Sequence, residues 1–328
     1  MAGVQLIQVA ADETGMRLDR WFKVHFPGLG FGPLQKLLRS GQIRVDGGRV
    51  KSETRVQPGQ TVRVPPLGVD EKVHGPLTAN TMKNRDDDDV LKQMLLHEDD
   101  KVLVFNKPAG LAVQGGSGIT RNVDEMLEAW RNKKGEKPRL VHRLDRDTAG
   151  VLVVARTRAA AQALTTAFRE RETKKTYWAL VKGTPRQKEG KLSSWLIKES
   201  TPDGDRMRIG KHGEQGADHA VSYYRVLEEA GQQLTWLEME PYTGRTHQLR
   251  VHALSLGTPI IGDPKYFDAD HNWAFPGGMQ KRLHLLARRI VVPHPSGGTL
   301  DITAPLPPHM VQSWNLIGFD LENGEARY

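Results

Sequence analysis

The sequence predicts an α+β protein, and three observations lead there. From residue 101 onward, strand-like and helix-like segments are mixed along the chain. Residues 13–65 read as a small unit of their own, with two short helices and three short strands. Between the two, residues 66–100 lose periodicity and reverse the sign of the charge.

Taken in order, "MRLDRWFKVHF" has helical spacing, with Leu18, Trp21 and Phe22 on one face. A second short helix follows, faced by Leu34, Leu37 and Leu38 and closed by Gly41. "IRV", "GRV" and "TVRVPP" are short alternating strands, with the turn "VDGGRV" joining the first two. Residues 1–65 carry ten Lys/Arg against five Asp/Glu, a net of +5, dense for so small a unit. Residues 66–100 carry four basic and nine acidic residues, a net of −5, and are expected to be a linker ending in a short helix around "VLKQMLL". The aspartate run at the start of that helix suits the helix dipole. Beyond it, "KVLVFNKP", "GVLVVAR", "KTYWALVKG", "AVSYYRVLEE" and "QLTWLEMEP" read as strands. "RAAAQALTTAFRERE" and "RTHQLRVHALSLG" read as helices, the second closed by Gly257.

At 328 residues the chain can bury a sizeable core in one large domain or two unequal ones. Apolar residues make up 38% and charged residues 26%, and mean hydropathy is −0.52, values of a polar, soluble globular chain. There are 47 Lys/Arg against 39 Asp/Glu, a formal +8 that favours a polyanionic partner such as nucleic acid. Cysteine is absent, which excludes disulfides, cysteine zinc sites and a cysteine nucleophile. The first fifteen residues lack the pattern of a secretory signal, and no segment reaches the ~20 apolar residues of a membrane span. A cytoplasmic setting is expected.

One short stretch concentrates charge. "RLVHRLDRDTAG" (139–150) sets Asp145 and Asp147 among His142, Arg143 and Arg146, just before the buried-looking run "VLVVA". On its own it reads either as a solvated ion-pair loop or as a functional carboxylate. "GRTHQLRVHALSLG" places Arg250 about a turn into a helix, beside an apolar stripe of Leu249, Ala253 and Leu256. A semi-buried arginine wants a carboxylate, and a surface one snorkels. His247 and His252 are five apart, a spacing that joins no helix face, so no metal site is expected. "GLGFG" and "GGSG" read as turns rather than phosphate cradles, and no nucleophile elbow or phosphate-binding GK[ST] loop is present.

Five ordered segments resemble the RluA-type RNA pseudouridine synthases, closest to the RluC/RluD-like group that modifies large-subunit ribosomal RNA. They are "FNKPAGLAVQ" (105–114), "LVHRLDRDTAGVLVVART" (140–157), "KKTYWALV" (174–181), "GRTHQLRVHALSLGTPIIGDPKY" (244–266) and "LHLLARRI" (283–290). Residues 13–65 resemble the S-four-type RNA-binding domain common at the N-terminus of this group. The resemblance implies a pseudouridine synthase fold over 101–328: a mixed, largely antiparallel central sheet with flanking helices, preceded by the small α+β domain and the 66–100 linker. It also implies an RNA substrate, no cofactor, no metal, no membrane and a monomer.

Transferred by position, the resemblance makes Asp145 the catalytic aspartate, Arg250 its partner and Tyr177 the tyrosine that stacks on the target uracil. It implies that Leu249 packs on the base, and that Arg143, His142, Arg245, His247 and Lys107 contact substrate or brace the site. Asp147 is implied to be a loop residue. Arg17, Arg20, Lys36, Arg39 and Arg44 are expected to meet RNA phosphates. The chemistry agrees: pseudouridine formation breaks an N-glycosidic bond, turns the uracil and rejoins it through carbon. One ionised carboxylate is enough, and a nearby arginine favours the ionised form. The target must first leave its stack. Two other readings are a glycoside hydrolase, which needs a carboxylate pair that Asp145 and Asp147 make poorly, and an inactive RNA-binding protein. Transfer RNA is an alternative substrate. A chain starting near residue 90 is expected to fold without the N-terminal unit.

Overall fold

The structure is a computed structural model, and it describes residues 4–10, 13–26, 29–67, 86–116, 119–132, 135–201, 204–267 and 278–325. Most of the expected linker, 68–85, lies outside these residues. The chain divides into two compact units.

The smaller unit follows the sequence reading closely at the start. Strand β1 (Gln5–Gln8) precedes α1 (Leu18–His25) and α2 (Phe31–Arg39). Strands β2 (Arg44–Val45), β3 (Gly48–Arg49) and β4 (Thr61–Val64) complete an antiparallel sheet in the order β1-β4-β2-β3. Leu18, Trp21, Phe22, Leu34 and Leu38 are buried against Ile43, Val45, Val56 and Val62, as their spacing predicts. The carboxylate of Glu13 lies in this apolar core, accepting hydrogen bonds from the Trp21 indole and the Ala10 amide and pairing with His25.

Two features correct the 13–65 boundary. Strand β1 lies before residue 13 and pairs with β4, Gln5 opposite Val64. The helix Pro308–Ile317, near the other end of the chain, also belongs to this unit. Arg55 ties it in, donating to the carbonyls of Gly15 and Asn315. No local pattern announces such partners, because they are distant in sequence.

The larger unit is built on one sheet. It opens with α3 (Asp87–Met94) and β5 (Leu95–Glu98), so the expected short helix starts earlier, at the aspartate run, and the last residues of the expected linker join the sheet. Three aspartates occupy the first turn of α3. Then come β6 (Val102–Lys107), α4 (Val123–Met126), β7 (Arg139–Leu140), β8 (Ala149–Ala155) and α5 (Arg158–Arg169). Strands β9 (Lys174–Lys182), β10 (Glu189–Thr201), β11 (Gly204–Gly210), β12 (Asp218–Ala230) and β13 (Leu234–Pro241) follow. Helix α6 (Gln248–Ser255) precedes β14 (Leu285–Pro293) and β15 (Thr299–Thr303).

Sheet order is β11-β10-β12-β13-β9-β14-β8-β6-β5, with β7 beside β8 and β15 beside β14. The sheet is antiparallel except at one seam, where β14 runs parallel to β8 with Leu286 opposite Ala149. At that seam Gly150 has φ +114°, and a Cβ there would collide with the backbone of Ala287. Only glycine lets the two strands meet so closely. The hairpin β10–β11 is an unforeseen addition at the sheet's edge, where alternation is diluted by polar and charged residues.

Candidate active site

The site lies within the larger unit. The loop between β7 and β8 carries Asp145, and its backbone is fastened from both sides. The Thr148 amide donates to the Asp145 carbonyl at 3.1 Å. The Arg146 carbonyl accepts from the Gly110 amide at 2.9 Å and from Lys107 Nζ at 3.0 Å. Lys107 is fully buried and donates also to the carbonyls of Pro108 and Leu111. Burial pushes its ammonium down to about 7, against the opposing pull of Asp147 and Asp145. Three carbonyls match the three N–H bonds of an ammonium.

The expectation that Lys107 touches substrate is therefore corrected. It stands outside the cavity, and its role is to hold the 108–111 turn to the catalytic loop. The apolar strand β6 carries its Cα into the core, so the long side chain has no route to water.

The other sequence-derived site residues meet at one cavity of about 550 Å³. Asp145, Tyr177, Leu249 and Arg250 line it, as do His142, Arg143, Arg245 and His247. Asp147 does not; its carboxylate accepts from Arg146 Nε at 3.2 Å.

Asp145 points its carboxylate at Arg250, with Oδ2 3.5 Å from Nη1 and 3.8 Å from His247 Nε2. Arg250 is held elsewhere. Its Nε and Nη2 donate in parallel to the two oxygens of Asp263, both at 2.7 Å, and the Asp263 side chain is fully enclosed. A bidentate pair of this geometry fixes the guanidinium plane. Nη1 is left to face Asp145. Tyr266 lies under the guanidinium at 5.1 Å and bonds His247 Nδ1 through its hydroxyl at 2.8 Å. Asp263 was not singled out in the sequence, although it lies in the quoted "GDPKY". Gly262 beside it has φ +70°, and a Cβ there would collide with the backbone of Arg282.

Helix α6 begins later than its apolar spacing suggests. His247 stands at its N-terminal boundary with φ +51°, and Arg250 lies in the first turn. Gln248 explains the geometry. Its carbonyl oxygen accepts from Thr243 Oγ1 and the Arg245 amide, at 2.6 and 3.0 Å. Its amide nitrogen donates to the Val221 carbonyl and Ser222 Oγ, at 2.9 and 2.8 Å. One buried glutamine thus pins the 243–245 turn to β12. Arg245 itself is exposed, 3.5 Å from Asp218.

Tyr177 projects from β9 and packs with Leu249 and Leu285. Removal from water and the charge of Asp145 push its phenol well above the usual range, so the hydroxyl stays protonated. His142 Nε2 accepts from the Val153 amide at 2.8 Å, and its ring stacks on Phe168. Loss of hydration and the Lys175 charge hold its imidazole down to about 3, so it is a neutral brace. His247 is also held low by loss of hydration, against the pull of Asp145. Lys175 and Tyr242 line the cavity too, and neither was anticipated. Tyr242 is half exposed, with the Arg171 guanidinium over its ring at 4.5 Å.

Among the described residues no cluster of His, Asp or Glu is arranged to hold a metal ion, and no helix is long and apolar enough to cross a membrane. One carboxylate, one clamped cation and an aromatic wall can cleave and remake a bond to a flat, neutral base.

Fold and site together define an enzyme that isomerises uridine in RNA: the chain belongs to the RNA pseudouridylate synthase family, whose model matches residues 101–255. Among its curated relatives is the ribosomal large subunit pseudouridine synthase C of Pasteurella multocida (strain Pm70). It is 38% identical over 308 residues, covering 94% of this chain and 92% of the relative. The protein of the same name from Escherichia coli (strain K12) is 36% identical over 307 residues, covering 92% and 93%. Among solved structures, human RNA pseudouridylate synthase domain containing 4 aligns with a TM-score of 0.58 at 30% identity, covering 71% of this chain and 95% of the other.

In the smaller unit, Lys36, Arg39 and Arg44 are exposed. Arg17 pairs with Asp19 at 2.7 Å, and Arg44 donates to the carbonyls of Gly41 and Gly47. Arg17, Arg20 and Arg55 share one hollow with Trp314 and Phe319, so Arg55 joins the cations named from sequence.

Proposed function

We propose that the protein converts specific uridines of large-subunit ribosomal RNA to pseudouridine, with Asp145 as the nucleophile. The single observation that carries this reading is the open carboxylate of Asp145 facing an arginine already clamped by a second, enclosed aspartate. Arg250 needs no counter-charge from Asp145, so its outward N–H is free to orient that carboxylate or to meet charge that develops on the substrate.

A uridine flipped from its stack enters the cavity and lies against Tyr177 and Leu249. Asp145 attacks the sugar or the base, and the N1–C1′ bond breaks. The uracil turns in place and rejoins C1′ through C5, and the bond to Asp145 breaks, either at C1′ as C5 displaces the carboxylate or at the base by elimination, so the free carboxylate is restored. The C5 proton leaves and N1 regains a proton, so the product has the atoms of the starting uridine. Stacking on one aromatic ring contributes about 1–3 kcal/mol to holding the base. The S-four-type unit adds sequence-independent affinity through Arg20, Lys36 and Arg39, and the enzyme works as a monomer in the cytoplasm.

The test incubates unmodified large-subunit ribosomal RNA transcript and, separately, unmodified transfer RNA with wild-type protein and with Asp145→Asn, and maps pseudouridine in each. Wild type modifies a small set of uridines, and the variant modifies none while retaining its fold. Pseudouridine at wild-type levels from Asp145→Asn removes the nucleophile, and modification of transfer RNA alone moves the substrate.

A further inference from the structure

Lys175 is the unexplained cation of the cavity. It lies on β9 two residues before Tyr177 and shares its face of the strand. It is half-buried, and among the described residues its Nζ has neither a hydrogen bond nor an ion pair. Its neighbours are the neutral imidazole of His142 and the turn at Gly244, where a Cβ would sit 3.9 Å from Nζ.

The other cations here are accounted for. Arg250 is clamped by Asp263, Arg245 faces Asp218, Arg169 faces Glu170 and Arg171 covers Tyr242. Arg143 is exposed and keeps its charge in water. Among the described residues that line the cavity, only Lys175 combines partial burial with no counter-charge, an arrangement that costs free energy until an anion arrives. Loss of hydration lowers its pKa, with no carboxylate acting the other way.

The spacing identifies the anion. Side chains two apart on a strand stand ~7 Å from each other on one face. A nucleotide whose base rests on Tyr177 carries a phosphate across a comparable span, over a sugar that Asp145 must reach. We propose that Lys175 binds a backbone phosphate flanking the target uridine and so sets the depth at which the flipped nucleotide seats. This rests on the reading of the cavity as a uridine-isomerising site. It makes Lys175 a substrate-binding residue that positions without reading sequence.

The test is a binding cycle between protein and RNA. The probes are a single-stranded heptanucleotide with one central uridine and two versions carrying a neutral methylphosphonate, one 5′ and one 3′ of that uridine. Wild type should bind one of the neutralised RNAs about tenfold more weakly than the parent. Lys175→Met should bind the parent about tenfold more weakly and show no further loss on that same RNA, as coupling requires. Lys175→Arg should restore the discrimination. A Lys175→Met protein that binds the parent like wild type, or still loses tenfold on the same neutralised RNA, overturns the proposal. Because binding is read without turnover, failure to isomerise ribosomal RNA would sink the functional reading and leave this result standing.

Discussion

Each charged residue of the site has a separate job. Asp145 is open to the cavity and Asp147 is not, so Asp147→Asn should keep activity within about threefold of wild type in a single-turnover assay. A loss equal to that of Asp145→Asn would place both carboxylates in the chemistry. Arg250 links function to stability. Arg250→Met strands the enclosed charge of Asp263. Removing one member of a buried pair costs about 3–5 kcal/mol. Urea unfolding should show Arg250→Met strongly destabilised as well as inactive. Asp263→Asn keeps the shape and loses the clamp. Its kcat should fall at least tenfold while KM changes little, and a wild-type kcat would show that Asp263 only packs.

Elements fix these residues through backbone. Lys107, at the end of β6, gathers three carbonyls, one of them on the catalytic loop. Lys107→Met leaves those acceptors unpaired in a dry place, at a cost of roughly 3 kcal/mol. Thermal unfolding should drop by several degrees and activity should fall with it, because the Asp145 loop loses its anchor. A variant with normal melting and normal turnover would show that the brace is dispensable. The parallel seam works in the same way. Gly150 sits immediately after the loop, at a φ of +114° against Ala287, so the loop's exit is set by a position that admits no side chain. Helix α6 depends on Gln248, whose two-sided hydrogen bonding ties the 243–245 turn to β12, fixes where the helix begins and so places Arg250 in its first turn.

For the whole molecule, pH and truncation test different parts of the chain. His252 and His284 are fully buried, and burial holds both near 4. An unfolded imidazole titrates near 6.5, so the unfolded chain takes up these protons first as pH falls. The stability that neutral His252 and His284 contribute is full above about pH 6.5 and is lost as pH falls through about 4. Urea midpoints at pH 7.5, 5.5 and 4.5 should decline in that order, and a flat series would refute the burial argument. A chain starting near residue 90 is no longer expected to fold cleanly, since the helix Pro308–Ile317 belongs to the N-terminal unit and would lose its partners. Charge reversal tests that unit better. Lys36→Glu with Arg39→Glu, both exposed, should weaken RNA binding and flatten its salt dependence without altering kcat at saturating RNA.

Much of the fold is legible in the sequence. Hydrophobic spacing located α1, α2 and the buried strands β6, β8, β9 and β13, because a chain that must bury an apolar stripe shows its period locally. Ordered motifs singled out Asp145, Tyr177, Leu249 and Arg250, and these do meet at one cavity. What the sequence by itself determined is therefore the family and a set of residues that line one cavity. Tertiary structure alone decided the rest: Asp263 as the clamp of Arg250, the three carbonyls that Lys107 gathers out of reach of the cavity, Lys175 as a cation without a partner, and a distant helix in the N-terminal unit. The reason is physical. A period is written in neighbours along the chain, whereas an ion pair, a dry lysine or a shared core depends on which distant segments fold against each other.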